Sequence, residues 1–178
     1  MFGGKAAALR KVVAVLGSVL LAAALVVSAP VRLGAASLDA GGGQQGTRQD
    51  SAVDQNGNAH RWSPDVGAVT IIDFAASWCA PCRESLPRLE AFAASHPEVR
   101  VLVISVDDQV TGRDALVDEL GLKVPVLWDE NHRAAEHYRP DGMPATFVFD
   151  RDGREILAVV GSKEHDWRRV VEVAEGAL

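Results

Sequence analysis

Residues 51–178 show the alternation of strand-like and helix-like apolar patterns that is typical of an α/β domain. Apolar runs of strand length alternate with segments whose apolar residues have helical spacing. The run over 99–106 is apolar on both faces, which indicates a sheet with helices on both sides. The predicted strands are 69–75, 99–106, 124–129, 145–150 and 155–161, and the predicted helices are 82–96, 112–122, 131–138 and 163–178.

Glycine and small polar residues mark the turns and helix ends. Asn56–Gly57 predicts a β-hairpin over 53–62, and Asp152–Gly153 predicts a hairpin between the last two strands. Capping preferences predict three helix ends: a start at Thr111 and Asp114, an end at Gly121, and a cap at Ser162.

The first 36 residues follow a different pattern. Lys5, Arg10 and Lys11 precede an uncharged apolar run over 12–29. A helix of that length approaches the hydrocarbon thickness of a bilayer, and the run has no polar face to meet water. We therefore predict a signal peptide or N-terminal membrane anchor over 1–36, followed by a flexible linker rich in glycine and glutamine over 37–50.

The expected location of the protein depends on whether this segment is cleaved or retained. The small residues before Ser37 suit a signal peptidase, whereas the length of the apolar run favours an uncleaved anchor. Basic residues before the run would stay in the cytoplasm and send the rest of the chain across the membrane. We expect a single anchor in the cell membrane with residues 51–178 extracytoplasmic, or a secreted or periplasmic protein if the segment is cleaved.

The charge distribution excludes one class of partner. Four of the 18 basic residues and none of the 24 acidic residues lie in the first 36, which leaves a net charge of −10 on the remainder. Such a domain lacks the basic surface of a nucleic-acid-binding protein, so we expect no nucleic-acid partner.

Both cysteines of the chain lie in "SWCAPC", with two residues between them. Cys79 follows the predicted strand that contains Asp73, at the sheet edge where open α/β folds place their sites. The start of the next helix favours a thiolate there. We predict Cys79 as the exposed thiol with a pKa below the free value of about 8.5, and Cys82 as the shielded resolving thiol.

Other interpretations of this pair fit less well. A structural disulfide that closes so short a loop would remove little chain entropy. A zinc site needs four suitably spaced ligands, and the five histidines are scattered, so we expect no metal. Peroxidase chemistry of the peroxiredoxin kind would use a threonine at the position of Ala76, and a copper chaperone of the Sco type would have three residues between its cysteines. Reversible thiol–disulfide exchange remains.

The segments "IIDFAASWCAPCRESLP" and "GMPATFVFDRDG" resemble the thioredoxin superfamily, and within it the membrane-tethered TlpA/ResA-like thiol–disulfide oxidoreductases. The resemblance covers residues 51–178. It implies a thioredoxin-like α/β fold, with a central mixed β-sheet flanked by helices and an N-terminal β-hairpin extension. It also implies a cis peptide bond before Pro144, facing the cysteines.

The same resemblance implies the partners. Relatives in bacteria reduce extracytoplasmic protein disulfides, often those of apocytochrome c. A transmembrane thiol reductase of the CcdA or DsbD type would supply their electrons, so no dissolved cofactor is expected. Trp78, Met143 and Pro144 are implied as the substrate-binding residues, because the backbone of Met143 beside a cis proline can pair with an extended substrate strand.

Two positions depart from the family pattern. Many relatives have glutamate three residues after the second cysteine, where this chain has Ser85, and many have asparagine at the position of Asp73. We therefore predict Asp73 as the proton-handling carboxylate, because burial would raise its pKa toward neutrality. The catalytic prediction is thus Cys79, Cys82 and Asp73.

The predicted function is a protein-disulfide reductase outside the cytoplasm, and two alternatives stay open. A disulfide-forming oxidase would use the same cysteines, and Ala80–Pro81 between them does not settle the reduction potential. A tethered, non-enzymatic binding module would use only the groove, although the intact cysteine pair argues against it.

Overall fold

The computed structural model describes residues 50–178. The segment predicted as an anchor or signal peptide and the linker up to residue 49 lie outside the described residues. All predicted strands and helices are present, and their ends differ from the prediction by at most two residues. The elements are β1 Ser51–Val53, β2 Ala59–Arg61, β3 Thr70–Ala75, α1 Cys82–Ser95, β4 Arg100–Ser105, α2 Val110–Leu120, β5 Val126–Trp128, α3 Arg133–Tyr138, β6 Ala145–Phe149, β7 Glu155–Val160 and α4 Glu164–Gly176.

Five strands form one mixed sheet in the order β5-β4-β3-β6-β7. Strand β3 pairs in parallel with β4 and antiparallel with β6, so it lies at the centre of the sheet. Every residue of β3 and β6 is buried, as expected for strands with both faces covered. The carboxyl end of β3, where the cysteine segment begins, therefore lies at the middle of one sheet edge.

Helices cover both faces of this sheet, and each face has its own apolar core. On one face α1, α4 and Leu116 of α2 pack against inward side chains such as Ile71 and Val148. On the other face α3 and Trp62 pack against side chains that include Ile72 and Phe74. The predicted fold class, a thioredoxin-like sheet flanked by helices, is confirmed.

Strands β1 and β2 form the predicted hairpin. Asp54 accepts hydrogen bonds from the backbone N–H groups of Asn56 and Asn58, and Gly57 has a φ of 84° that the turn requires. The side chain of Gln55 then bonds the backbone on either side of Pro125, at Val124 O and Val126 N. These bonds attach the N-terminal hairpin to the β5 edge of the sheet.

Two predicted helix starts are wrong, whereas one predicted end is confirmed. Helix α2 begins at Val110 after an extended Gln109, so Thr111 lies inside the helix, and the carboxylate of Asp114 bonds Arg113 instead of capping. Helix α4 has Lys163, not Ser162, at its N-cap, and Asp166 accepts the Lys163 N–H. Gly121 ends α2 in the left-handed conformation, with a φ of 62°.

Within residues 50–178, no helix combines the length and the hydropathy needed to cross a bilayer.

Candidate active site

The two cysteines lie between the end of β3 and the start of α1. They form a disulfide with a Cα–Cα distance of 5.3 Å. The backbone N–H of Cys82 points at Cys79 Sγ with an N–S distance of 3.2 Å. This donor comes from the first residue of α1, where backbone N–H groups lack partners within the helix, so it would also stabilise a thiolate at Cys79.

The two sulfur atoms have different surroundings. Cys82 is fully buried in the core beneath α1, with a relative exposure of 0%, and Cys79 has 4%. Cys79 is therefore less exposed in the disulfide form than the sequence predicts. It nevertheless lines an open groove, which Cys82 does not reach.

That groove measures about 620 Å³ and has a largely apolar lining. Trp78 stands at its rim with 65% of its surface exposed. Met143 lines it from the opposite segment, and the Met143–Pro144 peptide bond is cis, as the resemblance implies. Pro144 itself is buried and shapes the backbone of this segment, where its carbonyl accepts a hydrogen bond from Gly161 N at 3.0 Å. The lining residues are Trp78, Cys79, Ala80, Pro81, Val106, Ala135, Pro140, Gly142 and Met143.

Asp73 lies in the middle of β3, behind the disulfide. Its neighbours two positions away, Ile71 and Ala75, pack in the same core cluster as Cys82, so strand alternation places Asp73 on the α1 face as well. The side chain is 2% exposed. Thr146 on β6 donates a hydrogen bond of 2.6 Å to Oδ2, and Oδ1 has no hydrogen-bond partner. A carboxylate with so little solvation is strongly biased toward its protonated form.

Burial raises the pKa of Asp73 from 3.8 to about 7, and the hydrogen bond from Thr146 opposes part of this shift. A group with such a pKa can both accept and donate a proton near neutral pH. On α1, by contrast, Glu84 is exposed, and Ser85 Oγ donates a hydrogen bond of 3.2 Å to the Cys82 carbonyl. Among these residues, Asp73 is the carboxylate that lies on the buried side of the disulfide.

A second buried carboxylate, Asp107, was not singled out from the sequence. It follows β4 and accepts hydrogen bonds from Ser77 N at 3.0 Å, Ser77 Oγ at 2.6 Å and Ser105 Oγ at 2.8 Å. Ser77 is two residues before Cys79, so Asp107 holds the turn that carries the cysteine. A sequence signal existed: Asp107 follows β4 as Ser77 follows β3, and the carboxyl ends of adjacent parallel strands meet.

The position of Asp107 also explains why residue 112 is a glycine. A Cβ at Gly112, in the first turn of α2, would lie 2.6 Å from Asp107 Cγ and from Oδ1. Glycine at this position therefore lets α2 begin directly against the carboxylate that holds the cysteine turn. In the described part of the chain, no cluster of three or more His, Cys, Asp or Glu side chains could hold a metal ion.

Comparisons with known proteins agree with this geometry. The model of the AhpC/TSA family matches residues 47–155. A thioredoxin H-type from Oryza sativa subsp. indica is 33% identical over 113 residues, which are 64% of this chain and 74% of the relative. Thiol-disulfide oxidoreductase ResA from Bacillus thuringiensis is 24% identical, and the match covers 54% of this chain and 57% of that protein. The chain thus spans little more than half the length of that ResA relative.

Solved structures show the same fold. The DsbE-type thiol:disulfide interchange protein of Chlorobium tepidum has a TM-score of 0.67 and 26% identity, with 71% of this chain and 91% of that chain covered. StoA from Bacillus subtilis has a TM-score of 0.60 and 20% identity, with 68% and 92% covered.

The disulfide at the start of α1, on a thioredoxin-like fold, makes this chain a thiol–disulfide oxidoreductase. The family match covers more than half of the sequence. The relatives include ResA proteins, as the resemblance implies, and the solved structures include one of the DsbE kind. The chain therefore belongs to the AhpC/TSA family.

Proposed function

We propose that this chain reduces disulfide bonds of proteins outside the cytoplasm, with Cys79 as the nucleophile, Cys82 as the resolving thiol and Asp73 as the general base. The observation that carries the proposal is the asymmetry of the Cys79–Cys82 pair. Cys79 lines an open apolar groove, whereas Cys82 is buried on the side of the sheet that holds Asp73.

The first step is attack by reduced Cys79. Its thiolate displaces one sulfur of the substrate disulfide, and that sulfur leaves as a thiolate, which takes a proton from water. A mixed disulfide then joins Cys79 to the substrate. The N–H of Cys82 favours the attacking thiolate, because it lies within hydrogen-bond distance of Cys79 Sγ.

The second step uses Cys82. Asp73 takes the proton of the Cys82 thiol, and the resulting thiolate attacks Cys79 Sγ. The second substrate sulfur leaves, and the Cys79–Cys82 disulfide forms. Two electrons have then passed from the enzyme to the substrate. A base with a pKa of about 7 suits this task, because it is partly ionised near neutral pH and becomes a proton donor when the cycle runs in reverse.

In this proposal, the substrate binds in the groove. Trp78 offers an apolar platform beside Cys79, and Met143, with its cis bond to Pro144, lines the other side. An unfolded chain could add to the backbone there as a short strand, in the manner of β-augmentation. Such recognition suits proteins whose cysteines are still accessible, of which an apocytochrome c is an example.

Location and electron supply are part of the proposal. The basic residues before the apolar run over 12–29 favour export of residues 51–178 across the membrane. An oxidised enzyme outside the cytoplasm then needs a donor of electrons, and a transmembrane thiol reductase of the CcdA or DsbD type fits that need. The cycle requires no dissolved cofactor, because every step is a thiol–disulfide exchange.

Trapping of substrates in intact cells tests the proposal. Cys82→Ser stops the cycle after the first step, because a serine hydroxyl cannot displace sulfur at neutral pH. We expect covalent adducts at Cys79, visible on non-reducing gels and released by dithiothreitol. Cys79→Ser is the matched control and should yield none, because Cys82 is buried.

The trapped partners decide direction and location. Apocytochromes and other extracytoplasmic disulfide proteins in small number support the reductase, whereas many unrelated secreted proteins support the oxidase. Cytoplasmic partners alone would contradict export. Adducts with Cys79→Ser but not with Cys82→Ser would reverse the two roles. Adducts with neither variant, together with failure of the wild-type protein to reduce insulin, would leave only a binding module.

A further inference from the structure

A small cavity, which we call the cavity behind the disulfide, lies between β3, β6, β7, α1 and α4, and neither cysteine lines it. It measures about 10 Å³, close to the minimum needed for one water molecule. Apolar residues such as Leu89 and Val170 form part of its wall, and the polar residues that line it are Asp73, Ser85, Thr146, Ser162 and Asp166.

The polar part of the wall offers the partners that a buried water needs. Asp73 Oδ1 is buried and has no hydrogen-bond partner. Thr146 and Ser85 both donate elsewhere, to Asp73 Oδ2 and to the Cys82 carbonyl, which leaves oxygen lone pairs free to accept. A buried water typically makes two to four hydrogen bonds, and these groups together with Asp166 suffice.

Asp166 connects this cavity with the surface. It is the third residue of α4, and its Oδ2 accepts the Lys163 N–H at 3.2 Å. Its Oδ1 lies 3.1 Å from His165 Nε2, and the His165 side chain is 72% exposed, against 18% for Asp166. One carboxylate thus borders the cavity on one side and an exposed imidazole on the other.

We propose that protons pass between Asp73 and solvent through one water in this cavity, then Asp166 and His165. The proposal rests on the role of Asp73 as the base for Cys82. The proton that Asp73 takes from the Cys82 thiol moves from the Asp73 carboxyl group to the water, and the water passes a proton to the Asp166 carboxylate. From there a proton leaves through His165, and Asp73 is again ionised. No electrons move in these steps, and the same route runs inward when Cys82 must be reprotonated.

The need for a route follows from burial. Asp73 is cut off from solvent, so its proton must leave through neighbouring groups once in each turnover. Two further charged groups near the outer side of the cavity, Arg88 and Glu164, do not line it. Arg88 of α1 donates to the Ser162 carbonyl and lies 3.6 Å from Glu164, an ion pair on the surface. Asp166 is the ionisable side chain, besides Asp73, that lines the cavity.

The two steps of the cycle can be timed separately with 5,5′-dithiobis(2-nitrobenzoate). Attack by Cys79 releases one thionitrobenzoate, and resolution by Cys82 releases a second. Stopped-flow absorbance of the reduced full-length protein follows both at one pH. The variants are Asp73→Asn, Asp166→Asn and, as a matched control, Glu164→Gln, an exposed acid in the same helical turn. Asparagine retains an oxygen that can accept the Lys163 N–H, so the helix cap is preserved.

We expect Asp73→Asn to slow the second release about 100-fold and Asp166→Asn about tenfold, since a positioned acid or base contributes about 100-fold or more. Added imidazole should restore much of the rate in Asp166→Asn, because a soluble base replaces the missing carboxylate. The first release should be unchanged in all three variants, which also reports correct folding. Glu164→Gln should match the wild-type protein in both releases.

Three results would overturn the route, and they are distinguishable. A normal second release in Asp166→Asn, with a slow one in Asp73→Asn, removes Asp166 from the path and leaves the role of Asp73 intact. A normal second release in Asp73→Asn removes the base itself and therefore the route. A slow Asp166→Asn that imidazole does not restore would assign Asp166 a purely structural role.

Discussion

The front and the back of the Cys79–Cys82 disulfide differ in what they offer a reacting sulfur. The front is the groove, where Trp78 and Met143 provide apolar contact and none of the lining residues apart from Cys79 has an ionisable side chain. The back holds Asp73, Thr146, Ser85 and Asp166 around a cavity that fits about one water. The front is suited to binding a chain, and the back is suited to moving a proton.

This difference shows how two cysteines three positions apart acquire different tasks. One helical turn separates them, yet the first lies at the sheet edge and the second under the helix. At the front, a backbone N–H stabilises negative charge without titrating. At the back, a buried carboxylate titrates close to neutral pH because it lacks solvation. In the proposed cycle, the nucleophile thus depends on fixed dipoles and the resolving thiol on a base.

The largest effect is expected at the back of the disulfide, in the way the free energy of unfolding of the oxidised protein changes with pH. Asp73 is protonated below about pH 7 in the folded protein, and its ordinary pKa of 3.8 applies to the unfolded chain. Its contribution to stability is therefore fully present below about pH 3.8 and is lost as pH rises to about 7. The loss amounts to about 4 kcal/mol at 1.36 kcal/mol per pH unit.

Asp73→Asn cannot ionise, so the variant should unfold at higher urea concentration than the wild-type protein at pH 8, with a much smaller difference at pH 4. Urea unfolding monitored by circular dichroism measures both free energies of unfolding. Glu84→Gln, an exposed acid on α1, is the control and should follow the wild-type curve at both pH values. Equal pH dependence in Asp73→Asn and wild-type protein would show that burial of this carboxylate costs nothing.

The turn that carries Cys79 gives the second test. In Gly112→Ala the new methyl group would lie 2.6 Å from Asp107 Cγ, so either α2 or the hydrogen bonds that Ser77 donates to Asp107 must shift. Overpacking of this kind costs about 1–3 kcal/mol. We expect that loss in urea unfolding, together with slower reaction of Cys79. Gly176→Ala is the matched control, because a methyl group there meets no atom within 4 Å. If the two variants are equally stable, Gly112 is not required for the packing of α2 against Asp107 and the turn that carries Cys79.

The sequence predicted the local features of this site more completely than its long-range contacts. The strand before Cys79, the helix from Cys82 and the buried position of Asp73 follow from apolar patterns within about ten residues. The sequence analysis does not identify Asp107 as a site residue, because its partner Ser77 is 30 positions away and only the pairing of β3 with β4 brings the two together. The predicted start of α2 is wrong for a local reason, since the Asp114 carboxylate bonds the adjacent Arg113 side chain rather than a backbone N–H.

The start of α4 also shows that local sequence patterns do not predict which polar group caps a helix. Ser162 precedes the helix as a capping residue would, but Asp166 closes the first turn from within by accepting the Lys163 N–H. The same carboxylate also lines the cavity behind the disulfide together with Asp73 of β3, an arrangement that no local pattern contains. Predictions from periodicity thus place the elements, whereas the polar groups that join them depend on how the elements pack.

The smallest effect concerns the difference in reactivity between the two thiols, and it compares front and back directly. In the disulfide form, Cys79 borders the groove and receives the Cys82 N–H, whereas Cys82 lies in the core. Iodoacetamide reacts with thiolates, so at about pH 6.5 it should label Cys79 about ten times faster than Cys82. Mass spectrometry of peptides after brief labelling measures the ratio. The same protein in guanidinium chloride is the control, because unfolding removes both environments and should bring the two rates together. Equal labelling in the folded protein would mean that the helix start and the groove do not distinguish the thiols, and the assignment of nucleophile and resolving thiol would fail even if both cysteines are needed for turnover.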